Sequence, residues 1–222
     1  MKVLCACEES QRVCLSFREL GHEAFSADIL EPSGGHPEWH ILGDVTPIIN
    51  GGSFHTMDGT YYQIGTGGGG WDMIIAFPPC TYMTNASAVR MRVKGEIQPE
   101  RWRKAMEAKE FFLRFWNANC PRIAIENPIP LKSIELPPYT QIIQPYNFGH
   151  PYSKKTCLWL KGLPPLFSTE VMWHHEPWVN GGCKDHNGNY RRYQGRKERD
   201  PLNRSKTFWG IARAMAATWG TL

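Results

Sequence analysis

The sequence predicts an α/β fold: a doubly wound, mostly parallel sheet with helices on both faces and a small irregular segment late in the chain. Three observations predict it. Short apolar runs alternate with helix-spaced stretches through the first half of the chain. Most of those runs end on a polar or acidic residue, as strands feeding ligand-binding loops do. The composition, 41% hydrophobic and 21% charged over 222 residues, suits one domain that buries its own core.

Taken in order, Lys2 to Cys7 reads as a first strand, and Gln11 to Leu20 has helical spacing with Gly21 as its stop. Glu23 to Ala27 is a second strand ending at Asp28, and His40 to Leu42 a third ending at Gly43-Asp44. From Ser53 to Ile64, Asp58-Gly59 between Thr and Tyr residues predicts a hairpin with a two-residue turn. Gly67 to Gly70 lacks the lysine and Ser/Thr of a nucleotide loop and reads as a flexible joint. Met73 to Ala76 is a buried-type strand running into Phe77-Pro78-Pro79-Cys80. Pro99 opens an amphipathic helix to about Asn117, and Arg122 to Ile125 is a strand ending at Glu126-Asn127-Pro128. A last strand lies near Lys155 to Leu160, and Thr207 to Trp219 reads as a closing helix. The expected division is a core over 1–162, a small basic segment over 163–206, and a helix over 207–222 that returns to the core.

The net charge of +4 is modest, but its distribution is uneven. Lys184 to Lys206 holds eight Lys/Arg and three Asp/Glu, a local +5, and the rest of the chain stands near −1. That run is either a solvated loop or a contact for a polyanion. Seven cysteines without a regular framework fit reduced thiols. No apolar run approaches a membrane span, and MKVLCAC lacks the layout of a signal peptide. A cytoplasmic location with no membrane partner is therefore expected. His174, His175, Cys183 and His186 show no standard zinc spacing, so loop residues are expected there in preference to a metal site.

The strand ends gather Glu8-Glu9-Ser10, Asp28, Asp44, Pro79-Cys80 and Glu126-Asn127. Two acids at successive strand ends suit a ribose and an adenine amino group. A thiol and a carboxyl at two later ends suit a nucleophile and an acid. Cytosine carbon 5 becomes nucleophilic toward a sulfonium methyl only after a thiolate adds to carbon 6, and a carboxylic acid at ring N3 assists that addition.

These residues resemble those of the DNA cytosine-5 methyltransferases. Pro78-Pro79-Cys80 is similar to the family's nucleophile loop and Glu126-Asn127-Pro128 to its Glu-Asn signature. Asn147-Phe148-Gly149-His150-Pro151 with Lys154-Lys155-Thr156 resembles its Gly-x-Pro segment. Thr207-Phe208-Trp209-Gly210-Ile211-Ala212 resembles its late helix start. More narrowly, the chain is similar to the small members encoded in bacteriophages and prophages. The first loop departs from the family, with Cys7-Glu8-Glu9-Ser10 in place of glycines after an aromatic residue. Lys154 and Thr156 stand where arginines are usual.

The resemblance implies S-adenosylmethionine as cofactor and DNA as partner. It implies a catalytic set of Cys80, Glu126, Asn127 and Lys154. Cofactor contacts would come from Cys7, Glu8, Glu9, Ser10, Asp28, Ile29, Asp44, Val45, Phe77, Pro79 and Gly210. DNA contacts would come from Lys154, Lys155, Arg191, Arg192, Arg196 and Lys197. A free cytosine nucleotide or single strand as substrate, and a non-catalytic nucleic-acid-binding relative, stay open as alternatives.

Overall fold

Strand order, more than strand number, places the functional end of this molecule. The computed structural model describes residues 1–65, 70–84, 91–93, 95–178, 182–184, 190–192 and 200–222. The first half runs β1 (Lys2–Ala6), α1 (Arg12–Glu19), β2 (Glu23–Asp28), β3 (His40–Leu42), β4 (Gly52–His55), β5 (Tyr61–Ile64) and β6 (Met73–Ala76). Then come β7 (Arg92–Val93), β8 (Glu96–Ile97), α2 (Pro99–Trp116), β9 (Ile123–Pro128), β10 (Gln141–Ile143), β11 (Tyr152–Ser153) and β12 (Thr156–Lys161). The chain closes with β13 (Glu176–Pro177), β14 (Gly182–Lys184), β15 (Tyr190–Arg192), α3 (Pro201–Ser205) and α4 (Trp209–Trp219).

Seven strands form the main sheet in the order β10-β12-β9-β6-β1-β2-β3. From β3 across to β9 the pairing is parallel, and β12 and β10 add antiparallel at the far edge. The fold is thus the expected doubly wound α/β sheet. The chain moves outward from β1 through β2 to β3, then returns to the other side of β1 as β6. The carboxyl ends of β1 and β6 therefore flank the topological switch point, where open α/β sheets bind ligands.

Alternation along the strands builds two cores. Val3, Cys5, Met73, Ile75, Ala124 and Leu158 face α1 and α4, which supply Val13, Phe17, Ile211, Met215 and Trp219. Leu4, Ala6, Ile74, Ile123, Ile125 and Trp159 belong to the opposite core, with Ala105, Phe112 and Phe115 of α2. Pro99 begins α2 because its missing N–H costs nothing in the first turn. Arg103 ion-pairs with Glu100 at 2.6 Å and with Glu107 on the solvent face of α2. Gly21, at φ 80°, ends α1 with its N–H on the Arg18 carbonyl.

Three expectations need correction. The hairpin β4–β5 closes through a three-residue loop rather than a two-residue turn. Gly59 N–H donates to the Thr56 carbonyl at 2.9 Å, Thr56 N–H donates to the Thr60 carbonyl, and Gly59 takes φ 87°. The Asp58 carboxylate accepts from both Thr56 and Thr60 hydroxyls, which favours the longer loop. β10 was not expected: its three residues run into Gln144-Pro145, with no glycine–acid end such as the Gly43-Asp44 that marks β3. The last sheet strand is antiparallel to β9, with Glu126 opposite Leu158 and Asn127 opposite Cys157. Most of the expected glycine joint, Gly67 to Gly69, lies outside the described residues. No helix among the described residues is long and apolar enough to cross a membrane.

Candidate active site

At the end of β6, Phe77 N–H still donates to the Ala6 carbonyl at 2.9 Å. Pro78 and Pro79 then offer no N–H to a neighbouring strand, and the chain leaves the sheet. Asn127, 1% exposed, donates from Nδ2 to the Pro78 carbonyl at 3.0 Å. Met83 N–H donates to the Cys80 carbonyl at 3.1 Å, and Leu131 N–H to the Met83 carbonyl at 2.7 Å. The Cys80 loop is thereby held from β9 on one side and from the segment after β9 on the other. Asn127 Oδ1 is buried and has no hydrogen-bond partner among the described residues.

Cys80 is half-buried, and its thiol is pushed above the ordinary range. Burial contributes most and Glu126 next, while Lys154 and Arg204 oppose them. Glu126 is also pushed up by burial, against the pull of Lys154 and a bond to Thr156. A carboxyl whose burial favours its protonated form and a cysteine favoured toward ionisation by two cations can act as an acid–nucleophile pair. Lys154 is fixed at both ends: its N–H donates to Gln144 Oε1 at 2.9 Å, and Nζ donates to the Arg204 carbonyl at 3.0 Å. Lys155 is exposed beside it.

The ends of β1, β2 and β3 form the other half. Cys7 and Gln11 adopt φ 58°, left-handed values that favour glycine, and they bracket Glu8-Glu9-Ser10. Gln11 is pinned by three bonds: it donates to Ser26 Oγ and the His36 carbonyl, and accepts from His36 N–H. Asp28 and Asp44 both bear on Cys7, whose thiol burial and these two acids push up to about 12. Asp28 Oδ1 accepts from Leu30 N–H at 3.0 Å, and Asp44 Oδ1 from Thr46 N–H at 2.9 Å. Ile29 N–H also bonds to Asp28, and the Thr46 hydroxyl to Asp44.

The expected cofactor residues do not share one direction. Glu8 turns inward: its carboxyl accepts from Val13 N–H at 2.6 Å and Cys14 N–H at 3.1 Å, capping α1. Burial nonetheless pushes Glu8 up to about 8. Val45 belongs to the core at 4% exposure, whereas Ile29 stands 77% exposed after Asp28. Gly210 is set against the Phe148–His150 turn, where a Cβ would fall 1.8 Å from the Phe148 carbonyl, and its N–H donates to His150 Nε2. Ser10 is buried beside Glu8, Phe77 is half-buried and Pro79 is exposed. Glu9 is 7% exposed, and its Oε1 has no hydrogen bond among the described residues, with Lys206 Nζ 3.6 Å away. The acceptor oxygens of Asp28, Asp44 and Glu9 could hold a ligand rich in hydroxyl and amino groups.

Arg191 and Arg192 lie on β15, and their side chains are outside the described residues, as are Arg196, Lys197 and His186. The sequence reading missed Arg204 and Lys206 as members of the site. Nothing distinguishes them locally within the basic run, and only the packing of α3 brings them to the strand ends.

No family model matches the chain, and no curated protein matches it. Among solved structures, it is similar to the methyltransferase EhMeth of Entamoeba histolytica, with 17% identity and a TM-score of 0.41 over 81% of this chain and 58% of that one. It is also similar to a protein assigned as a DNA modification methyltransferase encoded within an E. coli prophage. There the identity is 12% and the TM-score 0.43, over 78% of this chain and 52% of that one. The match thus spans little more than half the length of either protein.

Proposed function

We propose that this chain transfers a methyl group from S-adenosylmethionine to carbon 5 of cytosine in DNA through a covalent adduct at Cys80. The observation that carries the reading is the pairing at two adjacent strand ends. Cys80 follows two prolines after β6, Glu126 lies in the last half of the neighbouring β9 and acts on its thiol, and Asn127 of β9 ties that strand to the Cys80 loop through Pro78. A thiol and a buried carboxyl pushed toward its protonated form, acting on one another, meet the two demands of attack at cytosine carbon 6. Methylation of an exocyclic amine would need no thiolate, since the nitrogen itself attacks the methyl group.

In this reading the Cys80 thiolate forms a bond to carbon 6, and ring electrons move toward N3, where Glu126 delivers its proton. Carbon 5 is then electron-rich and can accept a methyl group. When bound, S-adenosylmethionine supplies that methyl as an electrophile. Loss of the carbon-5 proton to a base restores the ring double bond and releases Cys80 as thiolate, while N3 returns its proton to Glu126. The acceptors Asp28 and Asp44 suit the cofactor's ribose hydroxyls and adenine amino group, and Glu9, whose Oε1 is engaged only by Lys206 at 3.6 Å among the described residues, suits its ammonium. Lys154 and Lys155 would hold the substrate backbone near the thiol. The 163–206 segment, with Arg191, Arg192, Arg196 and Lys197, would supply further phosphate contacts. A duplex substrate would have to flip the target base out of its stack.

The test is a DNA substrate carrying 5-fluorocytosine. Fluorine cannot leave as a proton does, so the protein should be trapped covalently, with mass spectrometry placing the bond at Cys80. Recovery of N4-methylcytosine from normal DNA, with no trapped adduct, overturns the reading.

A further inference from the structure

We propose that Tyr82, clamped by Arg101 and Lys104 of α2, is a positioning residue that fixes the aim of the Cys80 side chain. The proposal rests on the reading of Cys80 as nucleophile and adds three residues that this reading does not require.

The chain from Pro78 to Thr84 is fastened along one side. Asn127 Nδ2 donates to the Pro78 carbonyl, Leu131 N–H donates to the Met83 carbonyl, and Thr84 bridges to Pro130. All three partners belong to one stretch of chain, the end of β9 and the residues after it. Between these ties, Met83 N–H donates to the Cys80 carbonyl at 3.1 Å and closes a turn over Cys80-Thr81-Tyr82-Met83. A turn held along one line can rock about it, and rocking carries Cys80 Sγ with it. Attack at carbon 6 is sensitive to such motion, since a misplacement of about 1 Å can cost on the order of 10²-fold in rate.

Tyr82 supplies the hold from a second element. Its half-buried ring packs against the core that α2 covers. The Arg101 guanidinium carbon lies over that ring, 5.1 Å from its centroid, and Lys104 Nζ lies over it at 5.6 Å. Both distances fall within the roughly 6 Å at which a cation is drawn to an aromatic face. Arg101 and Lys104 are three residues apart, so one face of α2 presents both. Thr81, the other central residue of the turn, is exposed, which leaves Tyr82 to make the contact. Arg101 is half-buried, yet its buried Nε has no hydrogen-bond partner among the described residues. Buried donors are ordinarily paired. Arg103 shows the contrast on the solvent face, where it ion-pairs with Glu100 and Glu107. Lys104 approaches Glu100 only to 3.7 Å.

The test takes two readouts on the full chain. Hydrogen exchange of a peptide spanning the turn, followed by mass spectrometry without substrate, reports how often the Met83 N–H opens. The rate of 5-fluorocytosine trapping at saturating DNA reports the aim of the thiol. Tyr82→Leu keeps apolar bulk but removes the ring face, so exchange should quicken roughly fivefold or more, the loss of two cation–ring contacts. Trapping should slow by a similar factor while DNA affinity stays unchanged. Tyr82→Phe keeps the ring face and should restore both rates. Arg101→Met combined with Lys104→Met keeps the apolar stems on an outer face of α2, and that chain should behave as Tyr82→Leu does. Wild-type exchange or wild-type trapping, in Tyr82→Leu or in the double variant, would overturn the proposal. So would a Tyr82→Phe chain as impaired as Tyr82→Leu, since the hydroxyl would then be the group that matters. Failure of the nucleophile reading has a separate signature, the absence of a trapped adduct from the wild type, and the exchange comparison still tests the clamp.

Discussion

The two halves of the strand-end cleft are built by opposite means. On the β6–β9 side, the Cys80 loop is held by bonds the protein makes to itself: Asn127 to Pro78, Met83 to Cys80, Leu131 to Met83. The charged groups there, Glu126, Lys154 and Arg204, bear on one thiol. On the β1–β3 side, similar acids at similar strand ends do different things. Glu8 caps a helix, Glu9 faces Lys206, and Asp28 and Asp44 bind the residues that directly follow them while acting on Cys7. Position at a strand end predicts that a residue is near the site, but packing decides whether it points into it.

The sharpest way to break the comparison is to remove the thiol. Cys80→Ser should reduce methyl transfer below detection, because a hydroxyl is far less ionised near neutral pH. Cofactor binding, measured by calorimetry, should persist, since the β1–β3 side is untouched. Turnover by the serine variant would dissolve the distinction between the two halves.

Glu126→Gln comes next. Loss of a positioned acid costs about 10²- to 10⁴-fold in rate. The rate of adduct formation should fall by that order, with unchanged melting temperature. Wild-type adduct formation needs Cys80 ionised and Glu126 protonated, so it should rise with pH up to the elevated Glu126 range and level off above it, whereas in Glu126→Gln it should keep rising toward the Cys80 range.

How far the sequence reached follows the same division. The strands β1, β2, β3 and β6 were legible because each is a buried run with a sharp polar end. Cys80, Glu126 and Asn127 were legible as polar residues at the ends of such runs, and the roles proposed for them rest on the family resemblance. β10 and the antiparallel entry of β12 were not: β10 runs into Gln144-Pro145 with no glycine–acid end like the Gly43-Asp44 that marks β3, and pairing direction leaves no mark in a single strand. Glu8 illustrates the deeper limit. Its neighbours in sequence give no sign that its carboxyl turns back onto Val13 and Cys14, because that choice depends on α1 folding over it. Arg204 is the converse, a residue 124 positions from Cys80 that only α3 brings near.

Glu8 yields a third measurement. The folded protein holds its proton to about pH 8, whereas the ordinary carboxyl value is 4.5. Between those values the folded state binds more protons than the unfolded one, so stability contributed here falls as pH rises, by up to about 1.4 kcal/mol per pH unit. Above about 8 the slope vanishes. Glu8→Gln keeps one acceptor for the α1 N-terminus and cannot ionise, so the difference in unfolding free energy between wild type and variant should follow this curve. A flat difference between pH 5 and 8 would place Glu8 in water, and with it the cofactor side in a different geometry.

Asp28→Ala is a smaller change on the same side. It removes a carboxylate whose remaining lone pairs would accept from the cofactor, and affinity should weaken by roughly 1–3 kcal/mol, the usual cost of an unmatched polar partner. Unchanged calorimetric affinity would move the ribose contact elsewhere.

The smallest expected effect is also the most local test of the β1–β3 side. Cys7 occupies a left-handed backbone conformation at φ 58°, which costs a non-glycine residue about 1–2 kcal/mol. Cys7→Gly relieves that strain, but glycine adds roughly 0.5–1 kcal/mol of unfolded-state entropy and the side chain's packing is lost. These terms nearly cancel, so unfolding free energy should change by less than about 1 kcal/mol. Cofactor affinity should fall less than in Asp28→Ala, because the Cys7 thiol is pushed up to about 12 and stays uncharged between Asp28 and Asp44. Its part is then to set the course of the backbone into Glu8 and Glu9, which glycine can do equally well. A loss of affinity matching Asp28→Ala would make Cys7 a contact in its own right, and the β1–β3 side would be built from side chains as directly as the β6–β9 side.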